Sequence, residues 1–437
     1  MKTGIVKVCL YVFVVILPLI LALIFAHPEG TFLRNLGMGF ALMGITILAL
    51  QTLLASRFKW INKAFGFDVV IRYHRNIAIF TVFLLLFHPL LLILGGAGWS
   101  LIYTGNLFVW LGKAALVLVI LNVLSSVYQN RLKLKFERWR NLHDILGPSL
   151  LVLAFVHSWY VGDDLQIVPL RILWVILLGT AVIVFVYHRL VRPWLLRRNP
   201  YDVTEVNQEA DKVWTIKLSP PEGKHIFDYL PGQFQFIKFL RGRGLPEEEH
   251  HWTISSSPSQ KKYLSSTIKE LGDFTATIGK TESGDKAVVH APFGRFSYLF
   301  HPEEKDLVFI AGGIGITPVM SMLRFMRNNK ERIPVTLLYG NPDENSIVFK
   351  EELQSIEQGE YPSLKLIHIL QDPEDDWTGE RGFIDRDKIE KYCGENLSDK
   401  GFYIVGPAAL IEKSIQNLHS LGIKDSKIHL EIFSFLD

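Results

Sequence analysis

The chain has 437 residues, of which 49% are hydrophobic and 20% are charged, and its net charge is +3. A chain of this length holds roughly two to four domains, and so apolar a composition argues against an entirely soluble protein. The small net charge hides an asymmetry, because residues 1–200 carry +13 and residues 201–437 carry −10. The sequence therefore predicts a membrane part followed by an acidic soluble part, and we expect no nucleic-acid partner.

Apolar stretches long enough to cross a bilayer dominate the first part. They comprise residues 6–26, 34–55, 72–94, 105–128, 143–161 and 168–188. The connecting segments alternate between basic ones and ones with few or no cations, so the positive-inside rule places both termini in the cytoplasm. The first stretch follows Lys2 and Lys7 like a signal peptide. It is longer than a signal-peptide core and lacks a small-x-small cleavage site, so we interpret it as an anchor.

Two pairs of histidines with one spacing are the most informative feature of this part. His74 and His88 lie 14 residues apart on the third stretch, as do His143 and His157 on the fifth. This spacing is just under four helical turns, so the members of a pair share a face and lie about 21 Å apart. Intramembrane polar groups tend to mark functional sites. Because both stretches run outward, the predicted partners are His74 with His143 near the cytoplasm and His88 with His157 near the outer face.

This arrangement is typical of two stacked haems, each with two histidine ligands. The alternative is four histidines that are hydrogen-bonded between helices. Arginines lie at the inner level, where they would bind haem propionates or simply anchor the helices by the positive-inside rule. They are Arg72, Arg75, Arg138 and Arg140. We expect Pro89 to kink the third helix. The two cysteines, Cys9 and Cys393, are too few for an iron–sulfur cluster with four cysteine ligands within this chain.

After Asn199 and Pro200 the pattern changes to short strands and turns. Residues 202–218, 233–239 and 275–278 are predicted β segments of a small barrel that extends to about residue 302. Strands then alternate with helices, which predicts a doubly wound parallel sheet. The predicted strands are 307–311, 335–339, 364–370 and 402–405, and the predicted helices are 318–329, 348–357, 385–391 and 408–421.

A glycine-rich segment, Ala-Gly-Gly-Ile-Gly-Ile-Thr-Pro at 311–318, follows the first of these strands and opens a helix. Its glycines, Gly312, Gly313 and Gly315, allow the backbone to approach a pyrophosphate closely, and the helix N-terminus then faces the phosphates. Thr317 is predicted as the N-cap and Pro318 as the first helical residue. The alternative is a structural turn without a ligand.

Two further segments fit a flavin nucleotide. In the first, Trp252 stands beside a row of hydroxyls from Thr253, Ser255 and Ser256, so that one ring can pack on a flavin while hydroxyls bind its nitrogens and phosphate. A polar hairpin is the alternative for this segment. In the second, Lys269, Gly272 and Thr275 combine a cation, a turn and a hydroxyl that could hold a pyrophosphate; alone, this pattern is weak.

These motifs, in this order, resemble the family of ferric reductases and NADPH oxidases. Its members join a six-helix ferric-reductase-type membrane domain to a cytosolic ferredoxin–NADP-reductase-like module. The resemblance rests on the paired histidines, Arg-Tyr-His-Arg at 72–75, His-x-x-Thr-x-Ser-Ser from 250, Pro292 to Gly294, and the glycine-rich loop, and it covers nearly the whole chain. It implies a haem domain at 1–195, an FAD-binding β-barrel at 200–302 and an NAD(P)H-binding α/β domain at 303–437.

The resemblance also implies roles for individual residues. His74, His88, His143 and His157 would ligate two b-type haems. FAD would be held by His250, Trp252, Thr253, Ser255, Ser256, Lys269, Gly272 and Thr275. NAD(P)H would be held by Gly312, Gly313, Gly315, Thr317, Pro318, Asn341, Asp343, Gly406 and Pro407. Glu431 and Phe433 match the family's terminal Glu-x-Phe, whose aromatic ring covers the flavin, with Phe435 as the alternative to Phe433.

Three positions depart from the family pattern. Val405 replaces the usual cysteine before Gly406 and Pro407, which we expect to alter efficiency rather than abolish function. Pro342 and Asp343 follow Asn341 where relatives that prefer NADPH carry an arginine, which favours NADH. Leu92 replaces a second outer histidine of the superoxide-forming oxidases. Arg34 remains a candidate for the cation that these oxidases place over oxygen, the alternative being an arginine that reaches the membrane interface.

We therefore expect an enzyme of a bacterial plasma membrane that transfers electrons from cytosolic NAD(P)H through FAD and two b-type haems to an acceptor outside. Oxygen, reduced to superoxide, is favoured over a ferric chelate because no external metal-binding cluster is visible. The rival interpretations are a histidine-based metal or proton transporter and a haem-free, membrane-anchored flavin reductase. We expect the lipid bilayer as a partner and activity without a protein activator.

Overall fold

The computed structural model of the protein describes residues 2–25 and 30–432. These residues form two compact units, Met1–Trp194 and Leu195–Asp437. The first unit is helical, whereas the second contains two six-stranded sheets. The division follows the change from long apolar stretches to short strands that the sequence displays.

Within the described residues, six helices are long and apolar enough to cross a membrane, which confirms the predicted six-helix architecture. The helices of this unit are α1 (Lys2–Phe25), α2 (Phe32–Ala55), α3 (Lys59–Phe65), α4 (Phe67–Leu92), α5 (Leu107–Val127), α6 (Phe136–Val161), α7 (Val168–Val186) and α8 (Arg192–Arg197). Side chains define two of the starts: Thr31 accepts a hydrogen bond from the backbone of Arg34 at 3.3 Å, and Asn106 from that of Val109 at 3.1 Å.

The histidine-bearing helices pack mainly on other helices. Helix α4 packs on α2, and α6 packs on α5; among the described residues, α4 and α6 make no comparably extensive contact with each other. Small residues allow the close approach within these pairs. A Cβ atom added at Gly44 of α2 would stand 2.7 Å from Cδ2 of Leu85 on α4. The packing therefore leaves the two histidine rows on separate helix pairs.

Helix α4 does not break at Pro89. Its α-helical backbone continues to Leu92, and a π-helical turn follows at Ile93–Ala97, where Gly96 has a φ of 118°. The irregularity that the sequence predicted next to Pro89 thus lies beyond it. A second π-helical turn, Tyr187–Val191, extends α7. Such wide turns cluster at functional positions in helices.

The first sheet of the second unit is antiparallel and closes into a small barrel. Its strands are β1 (Tyr201–Ala210), β2 (Val213–Ser219), β3 (Phe234–Leu240), β4 (Glu249–Thr253), β5 (Leu264–Lys269) and β6 (Lys286–Phe293), in the order β4-β3-β6-β1-β2-β5. The edge strands β4 and β5 meet where the amide of Ser255 donates to the carbonyl of Ser265 at 2.8 Å.

The predicted β segment at 275–278 is wrong. Thr275–Lys280 is a 3₁₀ helix, because the Thr275 hydroxyl oxygen accepts hydrogen bonds from the amides of Leu271 and Gly272, each at 2.8 Å. These local bonds outweigh the β propensity of the threonines and isoleucine. The sequence also gave no signal for β4, β5 or β6, whose polar residues interrupt the alternation expected of strands.

The second sheet is entirely parallel, as predicted. Its strands are β7 (Leu307–Gly312), β8 (Pro334–Asn341), β9 (Ser363–Leu370), β10 (Glu380–Arg381), β11 (Gly401–Val405) and β12 (Ile428–Glu431), in the order β10-β9-β8-β7-β11-β12. The helices α9 (Ile316–Asn328), α10 (Lys350–Glu357), α11 (Arg386–Cys393) and α12 (Ala408–Ser420) connect them. Every residue of β7 is buried, as expected for a central strand covered on both faces.

We predict that truncation of the central strand destabilises the second unit strongly. Phe309 of β7 is fully buried in the core beneath α9, so Phe309→Ala should lower the free energy of unfolding by about 3–5 kcal/mol. Phe383, which is 69% exposed, provides the matched control, because Phe383→Ala leaves no cavity in a core. Scanning calorimetry of both variants measures this; equal unfolding temperatures would contradict it.

Candidate functional site

The outer histidines are both held by backbone carbonyls of neighbouring helices. Nδ1 of His88 lies 2.9 Å from the carbonyl oxygen of Gly37 on α2, and Nδ1 of His157 lies 2.8 Å from that of Phe108 on α5. A carbonyl oxygen only accepts hydrogen bonds, so Nδ1 of each ring carries the proton. In each neutral imidazole, Nε2 therefore keeps a lone pair, which is the tautomer that binds a metal.

The inner histidines, His74 and His143, come together as predicted. Their ring centroids are 6.1 Å apart and their planes meet at 67°. The Ser126 hydroxyl donates to the carbonyl of Asn122 at 2.6 Å, which leaves its oxygen as an acceptor for Nδ1 of His143 at 3.3 Å. Nε2 of His143 is thereby left with a lone pair as well. Nδ1 of His74 is buried without a hydrogen-bond partner among the described residues.

These observations fit metal coordination between the two helices. A metal ion bound by one nitrogen of each ring, with bonds of roughly 2 Å, separates the two ring centroids by roughly 6 Å. The distance between the His74 and His143 rings matches that separation. His88 and His157 are also close enough to interact electrostatically. The four histidines therefore fit the haem groups that the resemblance implies, one group per pair.

Glycines control the position of His88 and His157, the predicted outer pair, and no sequence motif indicates this. A Cβ atom added at Gly112 of α5 would stand 2.5 Å from Nδ1 of His157. One added at Gly37 would stand 3.1 Å from the His88 carbonyl oxygen and 3.0 Å from Cβ of Leu91. Gly37 therefore allows the backbone of α2 to approach α4, and Gly112 allows the backbone of α5 to approach the His157 ring on α6.

Arginines near both ends of the helices are already engaged. Arg72 pairs with Asp68 at 2.9 Å and Arg140 with Glu137 at 2.5 Å. The candidate cation Arg34 lies 2.5 Å from the Asp163 carboxylate, a partner that sequence analysis missed. This pairing offsets part of the positive charge that Arg34 would present to an acceptor, and a snorkelling arginine would not require it.

In the second unit, strand β4 presents an aromatic surface. The ring of Phe274 lies 4.3 Å from the His250 ring and 6.1 Å from the Trp252 ring, and both pairs are stacked. Side chains alternate along a strand, so His251 and Thr253 point to the opposite face. Trp252 also packs against Phe239 of the barrel core, which fixes the ring in place.

The hydroxyls of the two serines that follow Trp252 are hydrogen-bonded within the barrel. Ser255 and Ser256 are buried in an internal network: the Ser255 hydroxyl bonds that of Ser265 at 2.9 Å, and the Ser256 hydroxyl accepts from the Ser265 amide at 3.0 Å. These bonds close the barrel, and the assignment of Ser255 and Ser256 as FAD ligands stays a prediction. Thr253 is buried, with 6% of its surface exposed, and its role as an FAD ligand also stays a prediction.

The third predicted segment forms a compact turn. The Thr275 hydroxyl accepts two amide protons of its own loop, so it shapes the turn instead of projecting from it. A Cβ atom added at Gly272 would meet no atom within 4 Å, which leaves open space beside the loop. Lys269 ends β5 at the base of this turn. An anion beside this loop could therefore contact Lys269 and the backbone at Gly272, whereas the Thr275 hydroxyl is bonded within the loop.

The glycine-rich loop leads directly into α9, but the helix starts earlier than predicted. A 3₁₀ turn at Gly313–Gly315 precedes the first helical residue, Ile316, and the Thr317 hydroxyl donates to the carbonyl of Ile314 at 3.1 Å. Thr317 is therefore not the N-cap, and Pro318 is not the first helical residue. Pro318 still lies in the first turn, where its missing N–H costs no helical hydrogen bond.

Close backbone contact explains two of the glycines. A Cβ atom at Gly315 would stand 2.8 Å from the Val405 carbonyl oxygen, and one at Gly312 would stand 3.1 Å from Cδ of Pro407. Gly406 has a φ of 152°. The glycine-rich loop thus packs against the Gly406–Pro407 turn at the carboxyl edge of the parallel sheet, which is where doubly wound folds bind nucleotides.

Unsatisfied polar groups lie beside this edge. Asn341, at the end of β8, is 1% exposed, and neither amide atom has a well-oriented hydrogen bond, although the side chain lies near the Tyr339 hydroxyl. Buried amides of this kind are normally bonded, so Asn341 fits a ligand contact. Asp343 instead caps a short turn by accepting from the Ser346 amide at 2.9 Å. The pKa of His368 is lowered to about 4, mainly because the ring is buried and to a smaller extent because of the positive charge of Lys350.

One arginine connects the flavin motif to the nucleotide helix. Arg324 of α9 donates to the Ser255 carbonyl at 2.7 Å and to both carboxylate oxygens of Glu352, at 2.9 and 2.5 Å. Ser321 of the same helix donates to the Ser256 carbonyl at 2.8 Å. Burial alone would raise the pKa of Glu352, but the Arg324 guanidinium holds it below its ordinary value. Sequence analysis did not identify this connection.

The C-terminal motif is only partly described. Glu431 ends β12, where it is paired in register with Val405 of β11. Phe433 and its alternative, Phe435, lie outside the described residues. The register alone places the start of the motif beside the Gly406–Pro407 turn.

Comparison with known proteins identifies both halves of the chain. The family described as ferric reductase like transmembrane component matches residues 40–154, and the family described as oxidoreductase NAD-binding domain matches residues 309–416. The chain is therefore an oxidoreductase that joins a ferric-reductase-like transmembrane domain to an NAD-binding module of the ferredoxin-reductase type. This module implies the binding of FAD and NAD(P)H.

Individual relatives match more than half of the chain. The plasma membrane-associated coenzyme Q6 reductase PGA3 of Saccharomyces cerevisiae is 27% identical over 295 residues, 65% of this chain and 90% of that protein. A flavohemoprotein of Rhizobium meliloti is 28% identical over 53% of this chain and 59% of its own length. The solved Flavohem-like FAD/NAD binding domain of a Vibrio cholerae nitric oxide dioxygenase is 22% identical, with a TM-score of 0.48, over 53% of this chain and 97% of that chain.

We predict that Arg324 stabilises the assembly of the flavin and nucleotide domains. Arg324→Met leaves the Ser255 carbonyl without its donor and Glu352 without its bidentate partner, so the second unit should lose about 1–3 kcal/mol of stability. Arg327→Met is the matched control, because Arg327 is 41% exposed and contacts Glu352 once, at 3.2 Å. Thermal unfolding followed by flavin fluorescence tests this. Equal unfolding temperatures in the two variants would show that Arg324 has no such role.

Proposed function

We propose that this protein transfers electrons from cytosolic NAD(P)H through FAD and two b-type haems across the membrane to an acceptor on the outer side. The acceptor that we favour is molecular oxygen, reduced to superoxide. The tautomers of the outer histidines carry this proposal. Hydrogen bonds from Nδ1 to the Gly37 and Phe108 carbonyls leave Nε2 of His88 and of His157 with a lone pair that can bind a metal ion.

The inner ligands support the same reading. The distance between the His74 and His143 rings fits coordination of one ion by both, and Ser126 orients the His143 ring. A metal or proton transporter would be expected to use carboxylates in its spans as well. The carboxylates nearest to these histidines are bound elsewhere, since Asp144 pairs with Arg189 at 2.5 Å. A haem-free flavin reductase gives no reason for four histidines on two helices.

The soluble unit supplies the electrons. Flavin converts the two-electron hydride of a nicotinamide into single electrons, which haem iron requires. Trp252 offers its ring to the flavin, and Thr253 offers its hydroxyl from the opposite face of β4. The backbone of Gly312, Gly313 and Gly315, with the N-terminus of α9, receives the pyrophosphate of NAD(P)H. Asn341 supplies its buried amide to the same ligand.

The preferred nucleotide in this proposal is NADH. Asp343, two residues after Asn341, accepts hydrogen bonds from the Ser346 amide and hydroxyl with one carboxylate oxygen. A carboxylate at this position repels the 2′-phosphate of NADPH and can instead bond a free ribose hydroxyl. The comparison of kcat/KM for the two nucleotides tests this preference.

Orientation follows from the loop charges. The basic loops and the exit after α7 lie on the cytoplasmic side under the positive-inside rule, which puts both termini there. His74 and His143 are then the inner pair, and His88 and His157 the outer pair. A bacterial plasma membrane is the location that we propose, and no protein activator is required for activity.

A ferric chelate is the second candidate acceptor. The pairing of Arg34 with Asp163 supports it, because the carboxylate weakens the positive charge that would stabilise reduced oxygen. Either acceptor would receive its electron from a haem that His88 and His157 would hold near the outer face. The two are distinguished by the anaerobic oxidation of the NADH-reduced protein with a ferric chelate or with oxygen.

We predict that Gly112 is required for the outer haem. In Gly112→Ala the added Cβ would stand 2.5 Å from Nδ1 of His157 and push the ring away from the Phe108 carbonyl. The haem content should fall from two per chain towards one, as measured by the pyridine haemochrome assay. Gly147→Ala on α6 is the matched control, since a Cβ there meets no atom within 4 Å. If both variants keep two haems, His157 does not ligate as proposed.

We also predict that the charge of Arg34 promotes oxygen reduction. Arg34→Gln should lower superoxide formation, measured by a superoxide dismutase-sensitive assay, without changing haem content, because the positive charge near the reduced oxygen is lost. Arg34→Lys keeps the charge and should retain most of the rate. Equal rates in the glutamine and lysine variants would remove Arg34 from the oxygen reaction and favour the chelate.

A further inference from the structure

We propose that His301, Glu304 and His429 form a binding site for a divalent transition-metal ion such as Zn²⁺ in the second unit. One nitrogen of each imidazole and one carboxylate oxygen lie within 4.8 Å of one another. Two imidazoles and a carboxylate are a donor set that binds zinc. His301 and Glu304 lie in one short segment, but His429 lies 125 residues after Glu304, so no sequence motif contains all three residues.

Glu304 is the buried anchor of the cluster. Its side chain is 1% exposed, and Oε2 accepts a hydrogen bond from the Tyr403 hydroxyl at 2.8 Å. A Cβ atom at residue 401 would overlap the carboxylate, so Gly401 leaves the room that the carboxylate occupies. Tyr403 thereby acts as an outer partner that orients the carboxylate, an arrangement common around metal ligands. Oε1 remains on the side of the histidines.

The two imidazoles lie together beside that oxygen. Nε2 of His429 is 2.9 Å from Oε1 of Glu304, and the His301 ring stacks on the His429 ring with centroids 3.8 Å apart. Two stacked imidazolium rings repel each other, whereas two neutral rings can both bind one metal ion through a nitrogen lone pair. Tetrahedral binding would move the two ring centroids apart, to about 5 Å. Oε1 of Glu303 is 3.6 Å from Nδ1 of His301 and adds a second carboxylate at the open side. A metal ion would replace the proton between His429 and Glu304.

Lys427 opposes metal binding. Its Nζ lies 3.9 Å from Oε1 of Glu304, and its side chain is 26% exposed, so it can turn into solvent when a dication binds. The removal of Lys427 therefore distinguishes a metal site from a network of ion pairs, because the two are affected in opposite directions. Removal of Lys427 weakens a simple network of ion pairs but strengthens the binding of a cation.

The site joins segments that are otherwise connected weakly. Strand β12 lies at the edge of the parallel sheet and pairs with β11 alone, with His429 in register with Tyr403. His301 and Glu304 belong to the connection between the last barrel strand, β6, and the first parallel strand, β7. A bound ion would tie the edge strand to that connection.

The test uses the untagged full chain in detergent, incubated with zinc sulfate, freed of excess metal and analysed for zinc by mass spectrometry. We expect one zinc per chain that is lost in His429→Ala and Glu304→Gln. His419→Ala is the matched control, because His419 is also hydrogen-bonded to a carboxylate, that of Asp425 at 2.7 Å, but is 48% exposed and does not belong to the cluster. Zinc retention by His429→Ala, or no zinc in the unmodified protein, would overturn the proposal.

Lys427→Met keeps the test informative where a ligand variant fails to fold. We expect it to tighten zinc binding several-fold in competition with a chelator, and we expect zinc to slow the hydrogen exchange of the β12 amides. Weaker binding in Lys427→Met, or unchanged exchange in β12 at saturating zinc, would instead show that His429 and Glu304 form an ion pair and no metal site.

Discussion

The hydrogen bond from an intramembrane imidazole to a backbone carbonyl is the constraint on which the first unit depends. The backbone carbonyls of a helix accept hydrogen bonds from amides of the same helix. A carbonyl that also accepts one from an imidazole of a neighbouring helix therefore requires the two helices to pack closely. Gly37 and Gly112 provide that packing, the first through its own carbonyl and the second beside the His157 ring. The same bonds fix the ring tautomers, which links helix packing to metal binding in the proposed function.

Hydrogen bonds from side chains to backbone carbonyls are also important in the second unit. The barrel and the parallel sheet are connected by hydrogen bonds from Ser321 and Arg324 of α9 to the carbonyls of Ser256 and Ser255. Those bonds use the backbone carbonyls of the two serines, whereas the serine hydroxyls form the bonds that close the barrel. The flavin motif is therefore rigid before any ligand binds, and Trp252 and Thr253 are presented from opposite faces of one short strand. Rigid placement of this kind lets binding contribute to orientation.

Periodicity was sufficient to predict the six spans and the parallel sheet, whereas the pairing of His74 with His143 also required the alternation of loop charges. The spans and the sheet depend on residue spacing along one element, which a sequence displays directly. The failures share a different cause. The predicted strand at 275–278 and the predicted N-cap at Thr317 followed residue type alone, yet both threonine hydroxyls bond to nearby backbone groups. Local hydrogen bonds of hydroxyls depend on loop geometry that a single sequence does not reveal.

Other functional contacts were invisible because they join distant segments. Ser126 with His143, Asp163 with Arg34, and Arg324 with Ser255 each connect residues that no motif places together. Gly112 could have been noticed only as a glycine inside an apolar helix, where glycine costs stability and calls for a packing reason.

The central claim is that the two histidine pairs carry electrons delivered by NADH. An anaerobic absorption spectrum of the detergent-purified protein before and after addition of NADH tests it most directly. The account predicts two b-type haems per chain, both reduced by NADH and both reoxidised when air or a ferric chelate is admitted. Protein that folds and oxidises NADH but contains no haem would contradict the account and leave a membrane-anchored flavin reductase.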